Sequence, residues 1–261
     1  MEIPIYQVDA FSPTIFGGNP AAVCPLEEWL EDGLMQNIAS ENYLAETAFF
    51  VREDDGYHLR WFTPVKEVDL CGHATLATAH VLFNHLAYAK EEVAFQTRSG
   101  RLTVRKDGEY YVMNFPADHI QEVPTPDIIT EALGIKPIKT FLGREDYLVI
   151  LPSQKEVEAL VPDFRKLAML ENSRGTIATA RGNTVDFVSR CFFPLYGIDE
   201  DPTTGSAHTT LTVYWAKELQ KENLTALQLS DRVGTLRCNL INDRVEIIGQ
   251  AKTYLIGQII V

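Results

Sequence analysis

Arg60-Trp61-Phe62-Thr63-Pro64 and Arg190-Cys191-Phe192-Phe193-Pro194 stand 130 residues apart, and reading them as two copies of one unit decides the fold. The match continues outward in the same order. Val68-Asp69 meets Ile198-Asp199 at the same offset of 130, and Gly72-His73-Ala74 meets Gly205-Ser206-Ala207 at 133. Arg98-Ser99-Gly100-Arg101-Leu102 then meets Arg232-Val233-Gly234-Thr235-Leu236 at 134. Each pair is short, but a constant order and a nearly constant offset are what an internal duplication leaves behind. Two copies are too few for a solenoid. They predict two pseudo-twofold-related halves, residues 1–120 and 121–261, with the C-terminal strand joining the first half. Pro116, Pro124 and Pro126 punctuate the junction. Such folds place a ligand in the cleft where equivalent loops converge, so the active site is expected there.

Local patterning fills in each half. Ile3–Ala10, Ala21–Cys24, Thr47–Arg52, Tyr57–Phe62, Val93–Thr97, Leu102–Lys106 and Tyr110–Phe115 read as strands. Gly17-Gly18-Asn19-Pro20 joins the first two, and Asp107-Gly108 is a two-residue hairpin signal. Leu26–Ser40 reads as a helix with acids in its first turn. Ala74–Leu86 is apolar on nearly every side, the mark of a helix buried all round, and Ala207–Leu219 is its counterpart. Shorter helices are expected near Asp127–Leu133, Gln154–Leu160 and Phe164–Leu170. The fold class is therefore α+β, each half a curved, mostly antiparallel sheet around a central helix.

The chain's 23 basic and 36 acidic side chains give a formal charge of −13. Residues 1–130 hold −12 of it. So acidic a surface repels a phosphate backbone, which argues against nucleic acid as a partner. Met1-Glu2-Ile3-Pro4 has neither a basic nor an apolar leader segment, and no apolar run nears ~18 residues, so a cytoplasmic protein without membrane contact is expected. Cys24, Cys71, Cys191 and Cys238 are too scattered for a disulfide framework or a zinc motif. No cofactor-binding fingerprint and no metal site are read.

Both central helices are entered through a glycine, Gly72 and Gly205. Glycine lets a ligand approach the backbone, and free N–H groups with the helix dipole favour an anion. A tight strand-to-helix turn explains either glycine alone; their equivalent placement points to a small carboxylate-bearing substrate. Glu46, amid Tyr43-Leu44-Ala45 and Ala48-Phe49-Phe50, enters a strand away from water, a setting suited to general acid/base chemistry. A structural strand-edge role fits the residue equally. At offset 130 its counterpart is Thr176, so only one half carries this carboxylate. Asp201, held extended by Pro202, lies within a turn of the second helix mouth, and His73 sits at the first.

With Val8-Asp9-Ala10-Phe11, Gly18-Asn19-Pro20-Ala21-Ala22-Val23, Glu46-Thr47-Ala48-Phe49, Asp69-Leu70-Cys71-Gly72-His73-Ala74-Thr75 and Glu200-Asp201-Pro202-Thr203-Thr204-Gly205-Ser206-Ala207, the sequence resembles the phenazine-biosynthesis-like (PhzF-like) family. That family shares the diaminopimelate epimerase fold. The resemblance implies cofactor-independent isomerisation and a homodimer. It implies Glu46, Asp201 and His73 as catalytic residues, and Asn19, Gly72, Gly205 and Ser206 as substrate-binding ones. Racemases of the same fold use two cysteines, one ahead of each helix mouth. Cys71 holds the first position, but Thr204 holds the second. An amino-acid racemase built on Cys71 and a non-catalytic small-molecule binder stay open as alternatives.

Overall fold

Residues 1–53 and 55–261 are described by a computed structural model, in which the chain forms two units, Met1–Asn114 with Ile248–Val261, and Phe115–Ile247. The first unit begins with β1 (Glu2–Ala10) and β2 (Asn19–Leu26), antiparallel with Val8 opposite Ala21. The connection turns at Gly18, whose φ is +62° and where a Cβ would sit 2.0 Å from the Ala10 carbonyl oxygen, so only glycine fits. α1 (Asp32–Asn42) follows, then β3 (Glu46–Glu53), β4 (Gly56–Phe62) and β5 (Glu67–Val68). The helix predicted from Leu26 starts only at Asp32. Leu26 instead ends β2 in register with Val51 of β3, because ladder hydrogen bonds outweigh a weak helical preference.

α2 (Gly72–Asn84) is the unit's centre, with every residue from His73 to Leu82 buried. Its hydroxyls are satisfied within the helix: Thr75 donates to the Cys71 carbonyl and Thr78 to that of Ala74. Fully burying Leu76, Val81 and Leu82 contributes about 1.5–3 kcal/mol each. β6 (Glu92–Thr97), β7 (Gly100–Asp107) and β8 (Tyr110–Pro116) complete the run, and the β7–β8 turn is the expected hairpin, with Gly108 at φ +60°.

The second unit holds β9 (Gln121–Val123), α3 (Asp127–Leu133), β10 (Lys139–Leu142), β11 (Asp146–Ile150), α4 (Gln154–Glu158), α5 (Phe164–Leu167), β12 (Gly175–Arg181), β13 (Phe187–Phe193) and β14 (Ile198–Asp201). α6 (Gly205–Leu219) and β15 (Asn223–Gln228), β16 (Gly234–Ile241) and β17 (Arg244–Gly249) follow. β18 (Ala251–Ile260) belongs to the first unit, antiparallel to β1. Each unit repeats one local order. A strand runs parallel to its predecessor, β2 to β3 and β11 to β12, and then turns antiparallel into the next. A strand-to-helix step leads into the central helix, capped by Cys71 in one unit and Thr204 in the other. The second unit adds its own core, where α3, α4 and α5 bury Ile129, Leu133, Val157 and Leu167 against Val149, Ala178 and Phe192.

Candidate active site

In the first unit, β3 begins at Glu46, paired in parallel register with Ala21. Cys71 is extended, with φ −146°, and hands the chain to α2, whose second residue is His73. These two starts bring three buried side chains together. The His73 Nε2 lies 3.0 Å from the Glu46 Oε2, and its Nδ1 lies 3.5 Å from the Cys71 Sγ. His73 thus links a carboxylate to a thiol. Burial opposes charge on its ring, but the Cys71 sulfur and the Glu46 carboxylate outweigh it and hold the proton on His73 well above the ordinary histidine range. The Cys71 thiol is pushed up to about 11, first by burial and then by the Glu46 charge, against the pull of His73 and the Ala74 amide. It is therefore a neutral thiol near pH 7. Gly72, the first residue of α2, is half-buried beside this group. Asn19 opens β2 two residues before Ala21 and is fully buried.

In the second unit, the mouth of α6 gathers Asp201, Gly205 and Ser206. Asp201 ends β14 and is buried. The Thr204 hydroxyl donates to its Oδ2, and the Gln228 amide donates to its backbone carbonyl at 2.7 Å while its Oε1 accepts from the Thr204 N–H at 2.8 Å. Asp201 is thereby fixed in both backbone and side chain. Ser206 is held from the other side. Its Oγ accepts from Arg174 Nη2 at 3.1 Å, and the same guanidinium grips Asp146 with two bonds of 3.0 and 2.5 Å. Arg174 also lies over the Phe193 ring, 4.7 Å to its centroid. Gly234 packs tightly against Thr203: a Cβ there would meet Thr203 Oγ1 at 2.1 Å. His208, one turn into α6, donates from Nδ1 to the Thr204 carbonyl at 2.8 Å and packs near Phe187. Burial drives its pKa down to about 4, so it is a neutral imidazole and not an acid/base near pH 7.

Arg174, Asp146 and Gln228 escape the sequence reading. Arg174 lies in an unremarkable loop, and its partners are 28 and 32 positions away, a distance no local pattern spans. The placement of Cys191 is also unexpected. It faces Asp201 across the β13–β14 register, and its thiol hydrogen-bonds Thr204. Burial holds that thiol far above its usual range, so it is not a nucleophile.

A family model described as phenazine biosynthesis-like protein matches residues 8–257. The chain belongs to that family. An uncharacterized isomerase of Pseudomonas aeruginosa is 52 % identical over 257 residues, covering 98 % of both chains. The crystal structure of a PhzF-family protein from Enterococcus faecalis superposes with a TM-score of 0.98 at 48 % identity, covering 100 % of both chains. A hydroxyproline epimerase from Agrobacterium vitis shares the fold at a TM-score of 0.61 and 11 % identity, over 99 % of this chain and 92 % of its own. The architecture is therefore the α+β fold of the PhzF-like proteins and the epimerases. Like its curated bacterial relatives in the family, the chain is an isomerase. No helix among the described residues is long and apolar enough to cross a membrane.

Proposed function

We propose that the protein is a cofactor-independent isomerase that moves a proton on a small carboxylate-bearing substrate, with Glu46 as its single acid/base. The observation that carries this reading is the buried Glu46 carboxylate, with its Oε2 3.0 Å from the His73 Nε2. Glu46 takes a proton from a carbon made acidic by conjugation with a carboxylate or carbonyl, and returns it to another carbon on the same face. Negative charge builds on the conjugated system as the proton leaves. His73, carrying its proton, and the free N–H groups at Gly72 offset that charge. Withdrawing water from such a group strengthens each of these interactions.

The groups at the mouth of α6 are assigned to substrate binding. Asp201 accepts from a substrate amine or hydroxyl, while Ser206 and the Gly205 N–H bind an anionic oxygen at the start of α6. The rigid Gln228–Thr204 frame and the Arg174–Asp146 pair support this assignment, since both immobilise the groups before substrate arrives. A racemase working through two thiols gains no support: Thr204 caps α6 where the second cysteine would stand, and Cys71 is a neutral thiol.

The test is solvent exchange. Candidate carboxylates carried through purification, identified by mass spectrometry, are incubated with enzyme in D2O and followed by proton NMR. The wild type should wash deuterium into one substrate, and Glu46→Gln should lower that rate by about 10²–10⁴-fold.

A further inference from the structure

The same three side chains have a second chemistry. The Cys71 Sγ, a His73 ring nitrogen and a Glu46 carboxylate oxygen all lie within 4.8 Å of one another. They are a sulfur, a nitrogen and an oxygen donor, each buried. The His73 Nε2 lies 3.0 Å from the Glu46 Oε2 and 4.0 Å from the Cys71 Sγ. Tetrahedral zinc, with bonds of about 2.0–2.3 Å, spaces its ligand atoms about 3–4 Å apart, the range of both distances from the His73 Nε2. The Glu46 Oε2 is buried, and its approach to His73 is a close ion-pair contact rather than an aligned hydrogen bond, which leaves electron pairs for a cation.

We propose that Glu46, Cys71 and His73 form a three-ligand site for a thiophilic divalent cation such as Zn²⁺, and that its binding switches the isomerase off. On binding, the Cys71 S–H bond breaks, its proton leaves to solvent, and the thiolate pair enters the metal–sulfur bond. His73 Nε2 gives up its proton to solvent and supplies its lone pair. Glu46 binds as carboxylate. Two anionic ligands cancel the charge of the ion, so the positive end of α2 does not oppose the complex. Water would complete the ion's fourth position. Sulfur and imidazole donors select Zn²⁺ and Co²⁺ over Mg²⁺ and Ca²⁺, which want oxygen. Inhibition follows because the metal occupies the lone pairs that would carry the proton; that part rests on Glu46 being the acid/base, whereas binding does not.

The experiment is a titration of the chelator-treated full-length protein with cobalt(II) chloride, read by absorption. The wild type should develop a thiolate-to-cobalt charge-transfer band that saturates at one ion per chain, is bleached by Zn²⁺ and is unmoved by Mg²⁺. Cys71→Ser should lose the band, while Cys191→Ser should keep it. His73→Asn should weaken cobalt binding at least 10-fold, which serves if Cys71→Ser gives no cooperative melt. No sulfur band in the folded wild type, an undiminished band in Cys71→Ser, or unchanged affinity in His73→Asn would each overturn the site. A cobalt band together with full turnover by Glu46→Gln would instead sink the catalytic reading and leave the metal site standing. Exchange that depends on Glu46 with no cobalt band would do the reverse.

Discussion

Acidification should unfold this protein early, and His208 sets much of the slope. Its imidazole is buried and its pKa sits at about 4, against the 6.5 of an ordinary histidine. The unfolded chain therefore takes up a proton below pH 6.5 that the native state refuses until about pH 4. Stability from this residue is complete above pH 6.5, falls as pH drops through the interval, and levels off below 4. A gap of that width, at 1.36 kcal/mol per unit, corresponds to about 3 kcal/mol, a large share of an ordinary domain's stability. His208 is fully buried, so solvent screening takes little from the figure. The control is His208→Asn, which keeps a donor for the Thr204 carbonyl and removes the titration. Urea unfolding of both proteins at pH 7, 5.5 and 4 gives the comparison. Trp215 is a convenient reporter, stacked on Phe187, which in turn packs near His208. The wild type should lose about 3 kcal/mol more than the variant between pH 7 and 4. Equal losses would refute the assignment.

Other consequences are quicker to check. Arg174→Met leaves the buried Asp146 carboxylate without its bidentate partner and should cost about 3 kcal/mol in denaturant unfolding, with a weaker hold on Ser206; a loss below about 1 kcal/mol would show the pair to be incidental. Gly234→Ala drives a methyl into Thr203 and should destabilise by about 1–3 kcal/mol, so an unchanged melting temperature would count against the close packing seen there. The four cysteines are all buried, with Cys24 and Cys238 pushed up to about 12, so a thiol reagent at pH 8 should react quickly only after unfolding. The homodimer implied by the family resemblance predicts twice the 29.3 kDa chain mass in light scattering, halved by Ile256→Asp at an exposed apolar position of β18; the mass of a single chain in the wild type would overturn it.

Much of the fold was legible because period and offset are backbone properties. The all-apolar run from Ala74 announced α2, and the offset of 133 made Thr204 the counterpart of Cys71, each the N-cap residue of its own helix. The start of α1 was not legible, since Leu26 has no local reason to stay in a strand until β3 lies beside it. The site divides in the same way. Cys71 and His73 are two positions apart, so their contact follows from one turn of chain. Their meeting with Glu46 depends on where β3 begins relative to α2, and the Arg174–Asp146–Ser206 set joins three separate segments. An arginine paired with a buried carboxylate leaves no periodic trace in sequence, because its cost and its gain are both settled by tertiary contacts.

The central claim is that one glutamate carries the proton. The most direct test is proton NMR in metal-free D2O with a carboxylate recovered from the purified protein, comparing wild type with Glu46→Gln and Cys71→Ser. The account predicts deuterium at one carbon and a shifted isomer with the wild type, and loss of both with Glu46→Gln while its fold persists. Exchange that survives Glu46→Gln but vanishes with Cys71→Ser would contradict it.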